Sequence, residues 1–247
     1  MNIFYITERD VNVLKFLHEN KIAQRDQLHN LFFKKTNIRV FNRRILKLLE
    51  HGYVERRALA LNHKLTSCYQ LSPKGFQYLK SFNEFEEVFK SERSEAIEHD
   101  ISLVVVRGII SAKKKVIKFF TENMLQCNSY FIESDIFKKF IRLQSDAVCE
   151  AKFSKANHLL AIEYESSIKS KKRYEDKISD YYNVDIQAVI YICESQRLLE
   201  KIMEIDKIVS KRKKVDSKLY FCLMNDLKKS STEHTFFSSS ERTISLD

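Results

Sequence analysis

Residues 37–50 read NIRVFNRRILKLLE and give the strongest helix signal in the N-terminal third of the chain. Its apolar residues follow the spacing i, i+3, i+7 and i+10, which places them on one side of a helix. Asn37 is a favourable N-cap residue, and Gly52 follows where a helix C-terminus favours a left-handed residue. The residues predicted to face inward are Ile38, Phe41, Ile45 and Leu48.

The opposite side of this helix is basic. In the major groove of DNA, arginine reads guanine O6 and N7, and asparagine reads adenine N6 and N7. Arg39, Asn42 and Arg43 are therefore the predicted base readers, and Arg44, at the edge of the same side, is a further predicted DNA-binding residue. Side chains better placed for phosphate contacts, on the helix and on the hairpin after it, are Lys47, Arg56, Arg57, His63 and Lys64.

The helices and strands predicted on either side of this helix follow the order of a known type of domain. Residues 8–20 and 24–33 predict two preceding helices, and the runs 53–61 and 65–72 predict a hairpin, followed by a helix from Pro73. This order is typical of a winged helix-turn-helix domain, whose third helix enters the major groove. A solvated basic face and a protein-contact surface are the alternatives to DNA binding.

Charge is concentrated in the first third. Residues 1–82 carry 15 Lys and Arg against 6 Asp and Glu, a balance of +9 within the total of +10 for 247 residues. Residues 83–247 carry the remaining 28 and 27, a balance of +1. This asymmetry predicts a module that binds double-stranded DNA, joined to a near-neutral domain. The three scattered glycines exclude glycine-rich nucleotide loops, so no nucleotide cofactor is expected.

Residues 83–112 predict a helical connector that would suit dimerisation on a palindromic site, so a homodimer is one expected arrangement. His99 within it is interpreted as structural rather than catalytic. The five cysteines lack a Cys-x-x-Cys pair, which favours free thiols in a reducing cytosol. No run resembles a signal peptide or a membrane span, so we expect a cytoplasmic protein without a membrane partner.

Beyond residue 112 strands alternate with helices, which predicts an α/β domain over 113–229 with a mixed central sheet. The fold class of the whole chain is therefore α+β. The Ser/Thr-rich segment 230–247 is expected to be a flexible tail or an appended strand. The predicted strands are 116–125, 145–151, 158–167, 188–195 and 218–227, and the predicted helices are 171–182 and 196–210.

Three carboxylates mark the candidate site of this domain. Asp146 starts one strand, while Glu163 and Glu165 lie on one face near the end of the next. If the strands pair, the three converge and repel one another without a cation, and hard oxygen ligands suit Mg²⁺ or Mn²⁺. Such a metal activates water for phosphodiester hydrolysis, with Lys169 or Lys177 to orient that water. The alternative is a set of solvent-facing carboxylates at a strand end.

The run IEYESSIKSKKRYEDKISDYY at 162–182, preceded by SDAV, resembles the PD-(D/E)xK nuclease-like superfamily. Joined to a winged helix, it is similar to the plasmid replication-relaxation family. The resemblance implies a restriction-endonuclease-like domain with Asp146 as the first acidic ligand and Glu163 as the second. Ser145 stands at the position of the motif proline, which makes no chemical contact.

Glu165 departs from the family pattern, because it stands where the catalytic lysine belongs. Either Lys169 or Lys177 substitutes for that lysine, or the domain no longer cleaves DNA, and Glu165 is then free to be a further metal ligand. The sequence therefore leaves two functions open. One is a metal-dependent DNA endonuclease of a plasmid or other mobile element. The other is a non-catalytic transcriptional regulator, or a replication or mobilisation accessory factor, whose second domain serves dimerisation or partner binding.

Overall fold

The protein has an α+β fold that divides into two compact units in a computed structural model. The first unit comprises Met1–Val104 and Gln126–Ile132, and the second comprises Val105–Leu125 and Glu133–Asp247. No helix in the described part of the chain combines the length and the apolar character needed to cross a membrane. The structure describes residues 4–61, 64–82, 85, 88–89, 94, 96–154, 156–229 and 234–247.

The first unit contains three helices, a hairpin and a further helix, in the order that the sequence predicts. Its three strands form an antiparallel sheet in the order β1-β3-β2. The elements up to the connector are α1 (Glu8–Asn20), β1 (Ala23–Gln24), α2 (Arg25–Phe32), α3 (Ile38–Glu50), β2 (Val54–Leu61), β3 (Lys64–Leu71), α4 (Pro73–Leu79) and α5 (Ile97–Ile110).

Helix α3 forms as its sequence predicts. The Asn37 side chain accepts a hydrogen bond of 2.9 Å from the Arg39 amide, and Gly52 has a φ of 72°. The prediction that Ile38 faces inward is wrong, since 36% of it is exposed. Ile38 is the first residue of the helix and lies beyond the turns that the core covers. The buried stripe is Phe41, Ile45 and Leu48, which packs with Leu14 and Leu17 of α1.

Gly75 in α4 is enclosed by backbone, so we expect Gly75→Ala to lower the free energy of unfolding by about 2 kcal/mol. A Cβ at this position would overlap the carbonyl oxygen of Tyr53 and lie 2.7 Å from Leu71 Cδ1. Gly108 in α5 is the control, because a Cβ there meets no atom within 4 Å. Gly108→Ala should raise stability by about 0.5–1 kcal/mol in the same denaturation experiment. Equal effects of the two substitutions would contradict this packing.

The second unit is built on a seven-stranded mixed sheet in the order β10-β9-β8-β7-β6-β5-β4. The central strands β6, β7 and β8 are parallel, and the other pairs are antiparallel. The remaining elements of the chain are β4 (Val116–Thr121), α6 (Glu122–Gln126), α7 (Ser129–Glu133), α8 (Asp135–Arg142), β5 (Ala147–Phe153), β6 (Ala156–Glu165), α9 (Lys171–Asn183), β7 (Val189–Cys193), α10 (Gln196–Lys213), β8 (Leu219–Leu223), α11 (Met224–Lys228), β9 (Thr235–Ser238) and β10 (Thr243–Ser245).

Two predicted strands extend into residues that form a helix in the structure. The run 116–125 turns from β4 into α6 after Thr121, whose hydroxyl accepts a hydrogen bond of 3.2 Å from the Met124 amide. The run 218–227 likewise turns from β8 into α11 after Leu223. Short apolar runs have no periodicity that separates a strand from a short helix. Helix α8, which has no counterpart among the predictions, buries Phe137 and Phe140 on one face.

Of the two expectations for the C-terminal segment, the appended strand agrees with the structure and the flexible tail does not, because β9 and β10 lie within residues 234–247 at one end of the sheet. Residues 230–233 of the predicted segment lie outside the described residues. Strand β4 is at the other end, yet the Lys115 amide donates a 3.0 Å hydrogen bond to the Leu246 carbonyl. Lys113 Nζ also lies 2.8 Å from Asp247 Oδ1. The sheet is therefore curled enough for its two ends to meet, and the appended strands are part of the folded unit.

Candidate nucleic-acid interface and acidic site

The outward side of α3 presents three basic side chains. Arg39, Arg43 and Lys47 are exposed, at successive i, i+4 positions opposite the buried stripe. None of the three forms an ion pair with a residue that the structure describes. These three predicted DNA-binding residues therefore share one accessible face.

Arg44 does not belong to this face. Its guanidinium pairs with the buried carboxylate of Asp10, with Nε 2.8 Å from Oδ1, and it also donates to the Tyr5 carbonyl. Burial raises the pKa of Asp10, but hydrogen bonds from Arg44 and Thr7 outweigh it and leave the pKa below its ordinary value. The helical spacing placed Arg44 at the edge of the basic side, whereas the structure assigns it to the junction of α1 and α3.

Asn42 has a partner that limits base reading. Its Oδ1 accepts two hydrogen bonds from Arg25, of 3.2 Å from Nε and 3.0 Å from Nη2. Bidentate recognition of adenine uses this oxygen, so Asn42 must give up Arg25 to read a base. Of the predicted base readers, Arg39 and Arg43 are the two that need no such exchange.

The hairpin divides its basic residues between two faces. Arg56 is exposed, whereas Arg57 Nη1 donates a 3.0 Å hydrogen bond to the Ser94 carbonyl. Lys64 begins β3, and the predicted contact at His63 lies outside the described residues. Of the two hairpin arginines, Arg56 is therefore the accessible one.

A groove of about 710 Å³ lies between the start of α1, the end of α2 and α3. Arg9 lines it, with its guanidinium 4.8 Å from the centre of the Phe33 ring. The sequence interpretation missed Arg9, because it lies in the first turn of a different helix. Arg43 and Lys47 line the same groove, so Arg9 extends their basic surface across it.

The predicted pairing of the two acidic strands is confirmed. In the antiparallel register of β5 and β6, Ala147 lies opposite Ile162, and the next position brings Asp146 to Glu163. Asp146 Oδ2 accepts a 2.7 Å hydrogen bond from the Tyr164 amide, which fixes this carboxylate across from the end of β6. Asp146 and Glu163 therefore converge.

Glu163 is held in a buried hydrogen-bond network. The Tyr181 hydroxyl donates to Glu163 Oε1 and lies 2.8 Å from the Ser145 hydroxyl. Lys177 Nζ is 3.1 Å from the same Oε1 and donates to the Leu143 carbonyl at 2.7 Å. Of the two lysines that the sequence offered as cations, Lys177 is the one beside Glu163. The sequence does not predict Tyr181 and Ser145 as partners of Glu163. The three residues lie in separate parts of the chain, and no local spacing indicates that these parts meet.

Glu165 has a separate cation. Its Oε1 lies 2.8 Å from Lys169 Nζ, four residues along the chain. Each glutamate is therefore matched with its own lysine, one from the loop after β6 and one from α9.

Burial and the nearby Asp146 raise the pKa of Glu163 from its ordinary value of 4.5 to about 8. The folded protein then binds this proton more tightly than the unfolded chain does. The stabilisation that comes from this bound proton is fully present at pH values below the ordinary pKa of 4.5, and it is lost as the pH rises towards 8. With EDTA present, we expect the melting temperature to fall between pH 5 and pH 8 more steeply for wild type than for Glu163→Gln. Parallel curves for the two proteins would contradict this.

The acidic residues differ in how well they fit a divalent metal. Among the residues that the structure describes, no group of three or more His, Cys, Asp and Glu side chains is arranged to hold a metal ion. Asp146 and Glu163 supply two converging carboxylates, and Mg²⁺ is often held by one or two carboxylates with substrate phosphates completing its shell. Glu165 is committed to Lys169. The fit is therefore to a metal held by Asp146 and Glu163, without Glu165.

The cysteines and His99 lie in surroundings that indicate a structural role. All five cysteines are buried free thiols. Burial raises the pKa of Cys149 to about 12, which keeps this thiol protonated and unreactive. His99 Nδ1 lies 3.5 Å from Asp100 Oδ1, its neighbour in α5.

Comparison of the chain with protein-family models, curated proteins and solved structures found no match.

Proposed function

We propose that the protein binds double-stranded DNA through the first unit, as a winged helix with α3 in the major groove. The observation that carries this proposal is the accessible face of Arg39, Arg43 and Lys47 opposite the buried stripe. Arginine on such a helix matches the acceptors of guanine, and lysine matches phosphate. The +9 balance of residues 1–82 supports the same function.

A random pool of duplexes tests this function. Purified protein should enrich a common sequence motif, and the selected duplex should bind at least about 1000-fold more tightly than unselected DNA. Enrichment of no duplex, with equally weak binding to every sequence, would contradict the proposal.

A second candidate function is metal-dependent hydrolysis of DNA by the second unit. It is favoured by the convergence of Asp146 and Glu163 with the Lys177 ammonium 3.1 Å from Glu163 Oε1. A bound Mg²⁺ or Mn²⁺ would supply Lewis-acid activation of water. Asp146 and Glu163 would hold the ion, while Lys177 would place a positive charge beside them. This arrangement supports a PD-(D/E)xK-like domain in which Lys177 replaces the lysine missing at Glu165.

The alternative is a non-catalytic second unit. It is favoured by the positions of Lys169 beside Glu165 and of Lys177 beside Glu163, which give each glutamate a neighbouring ammonium group without a metal. Incubation of the purified protein with supercoiled DNA and MgCl₂ or MnCl₂ distinguishes a nuclease from a non-catalytic second unit. Intact DNA under both conditions would leave a DNA-binding regulator or accessory factor. Either function would suit the plasmid or mobile-element role that the sequence resemblance implies.

A further inference from the structure

The outward face of α3 carries apolar side chains among its cations. Leu46 is 51% exposed and Val40 is 43% exposed. Arg39, Arg43 and Leu46 have the spacing i, i+4 and i+7, so Leu46 lies on the same helical face as the two arginines. Val40 lines the groove beside Arg43 and Lys47.

These two residues make no contribution to the core side of the helix. That side is formed by Phe41, Ile45 and Leu48, all of which are buried. A single exposed leucine on a protein surface is ordinary. Leu46 is informative because it lies on the same helical face as the two arginines that, in the proposed function, contact the edges of bases.

We propose that Leu46 and Val40 select thymine beside a guanine read by Arg43. This inference rests on the proposed DNA-binding function and adds a sequence preference to it. The C5-methyl group of thymine is the apolar group that a base pair displays in the major groove. Arg43 would donate to O6 and N7 of a guanine, and Leu46, one turn later on the same face, would contact the methyl group of a neighbouring thymine.

The charges on this face favour DNA over an apolar protein partner. A partner surface that covered Leu46 would also remove water from Arg39 and Arg43. Burying such cations without hydrogen-bonding partners is costly. Guanine and phosphate oxygens supply those partners while leaving the methyl contact in place.

The test uses the duplex selected from a random pool by the wild-type protein. Uracil then replaces thymine at one position at a time, which removes only the C5-methyl group. Wild-type affinity should fall about fourfold at one or two positions beside the conserved guanine, the loss expected for one buried methyl group. Leu46→Ala or Val40→Ala should bind the thymine and uracil duplexes equally at the affected position.

Ile136→Ala is the control, because it shortens another exposed apolar side chain, one on α8 in the second unit. It should keep the wild-type preference for thymine, and all variants should retain the wild-type melting temperature. Tight duplex binding that ignores uracil would overturn the thymine preference and leave the DNA-binding function standing. Failure to enrich any duplex would instead overturn that function. Unchanged DNA affinity in Leu46→Ala with loss of self-association would assign the face to a protein contact.

Discussion

Arg44→Ala is expected to destabilise the first unit by about 3 kcal/mol, because removing one partner of a buried ion pair leaves the other charge uncompensated. The side chain of Asp10 is 0% exposed and that of Arg44 is 22% exposed. Hydrogen bonds from the Thr7 amide and hydroxyl remain, so the loss should fall at the low end of the range for broken buried pairs. Chemical denaturation monitored by circular dichroism measures it.

The neighbouring arginine is the matched control. Arg43 is exposed, so Arg43→Ala should change the free energy of unfolding by less than about 0.5 kcal/mol. The same substitution should weaken specific DNA binding by about 1–3 kcal/mol and relax the preference at one base pair. If Arg43→Ala destabilised the fold as strongly as Arg44→Ala, the two roles assigned to these adjacent residues would be wrong.

Asp146→Asn should lower Mg²⁺-dependent DNA cleavage by at least about 100-fold, if the second candidate function holds. The substitution keeps the size of the side chain and its acceptor for the Tyr164 amide, but it removes one of the two charges that would hold the metal. The fold should survive, since the hydrogen bond that fixes residue 146 to β6 can still form. A supercoiled-plasmid nicking assay measures the rate.

Two further variants make this cleavage assay specific. Glu150→Gln removes a carboxylate from β5, the strand that follows Asp146, where Glu150 accepts a 2.8 Å hydrogen bond from Asn157, and it should cleave at the wild-type rate. Lys177→Ala should lose activity, whereas Lys169→Ala should lose less, because of these two lysines Lys177 is the one that lies beside Glu163. Equal activity in Asp146→Asn and wild type would reject the metal site.

Local sequence signals were sufficient for the elements that position both sites. The apolar spacing of residues 37–50 and the capping residue Asn37 predicted α3, because helix periodicity and caps are encoded within one segment. The alternation at the ends of β5 and β6 predicted that Asp146 would approach Glu163, because strand geometry has a period of two.

The contacts that assign roles to individual side chains were not predictable in this way. Arg44 meets Asp10 across 34 residues of sequence, and Glu163 meets Tyr181 across 18. Such pairs depend on how helices and strands pack against one another. The residue spacing within one segment does not indicate this packing. The same reason explains why spacing alone predicts a DNA contact at Arg44, and why the sequence leaves the C-terminal segment undecided between a flexible tail and an appended strand.

The dependence of duplex binding on salt concentration tests directly whether α3 binds DNA. Contacts to several phosphates release counterions, so the logarithm of the association constant should fall with the logarithm of salt concentration with a slope of about −4 or steeper. Lys47→Ala should reduce the size of that slope by about one, and Lys138→Ala, an exposed lysine on α8 that pairs with Asp135, should leave it unchanged. A wild-type slope near zero on both selected and random duplexes would contradict DNA binding by α3.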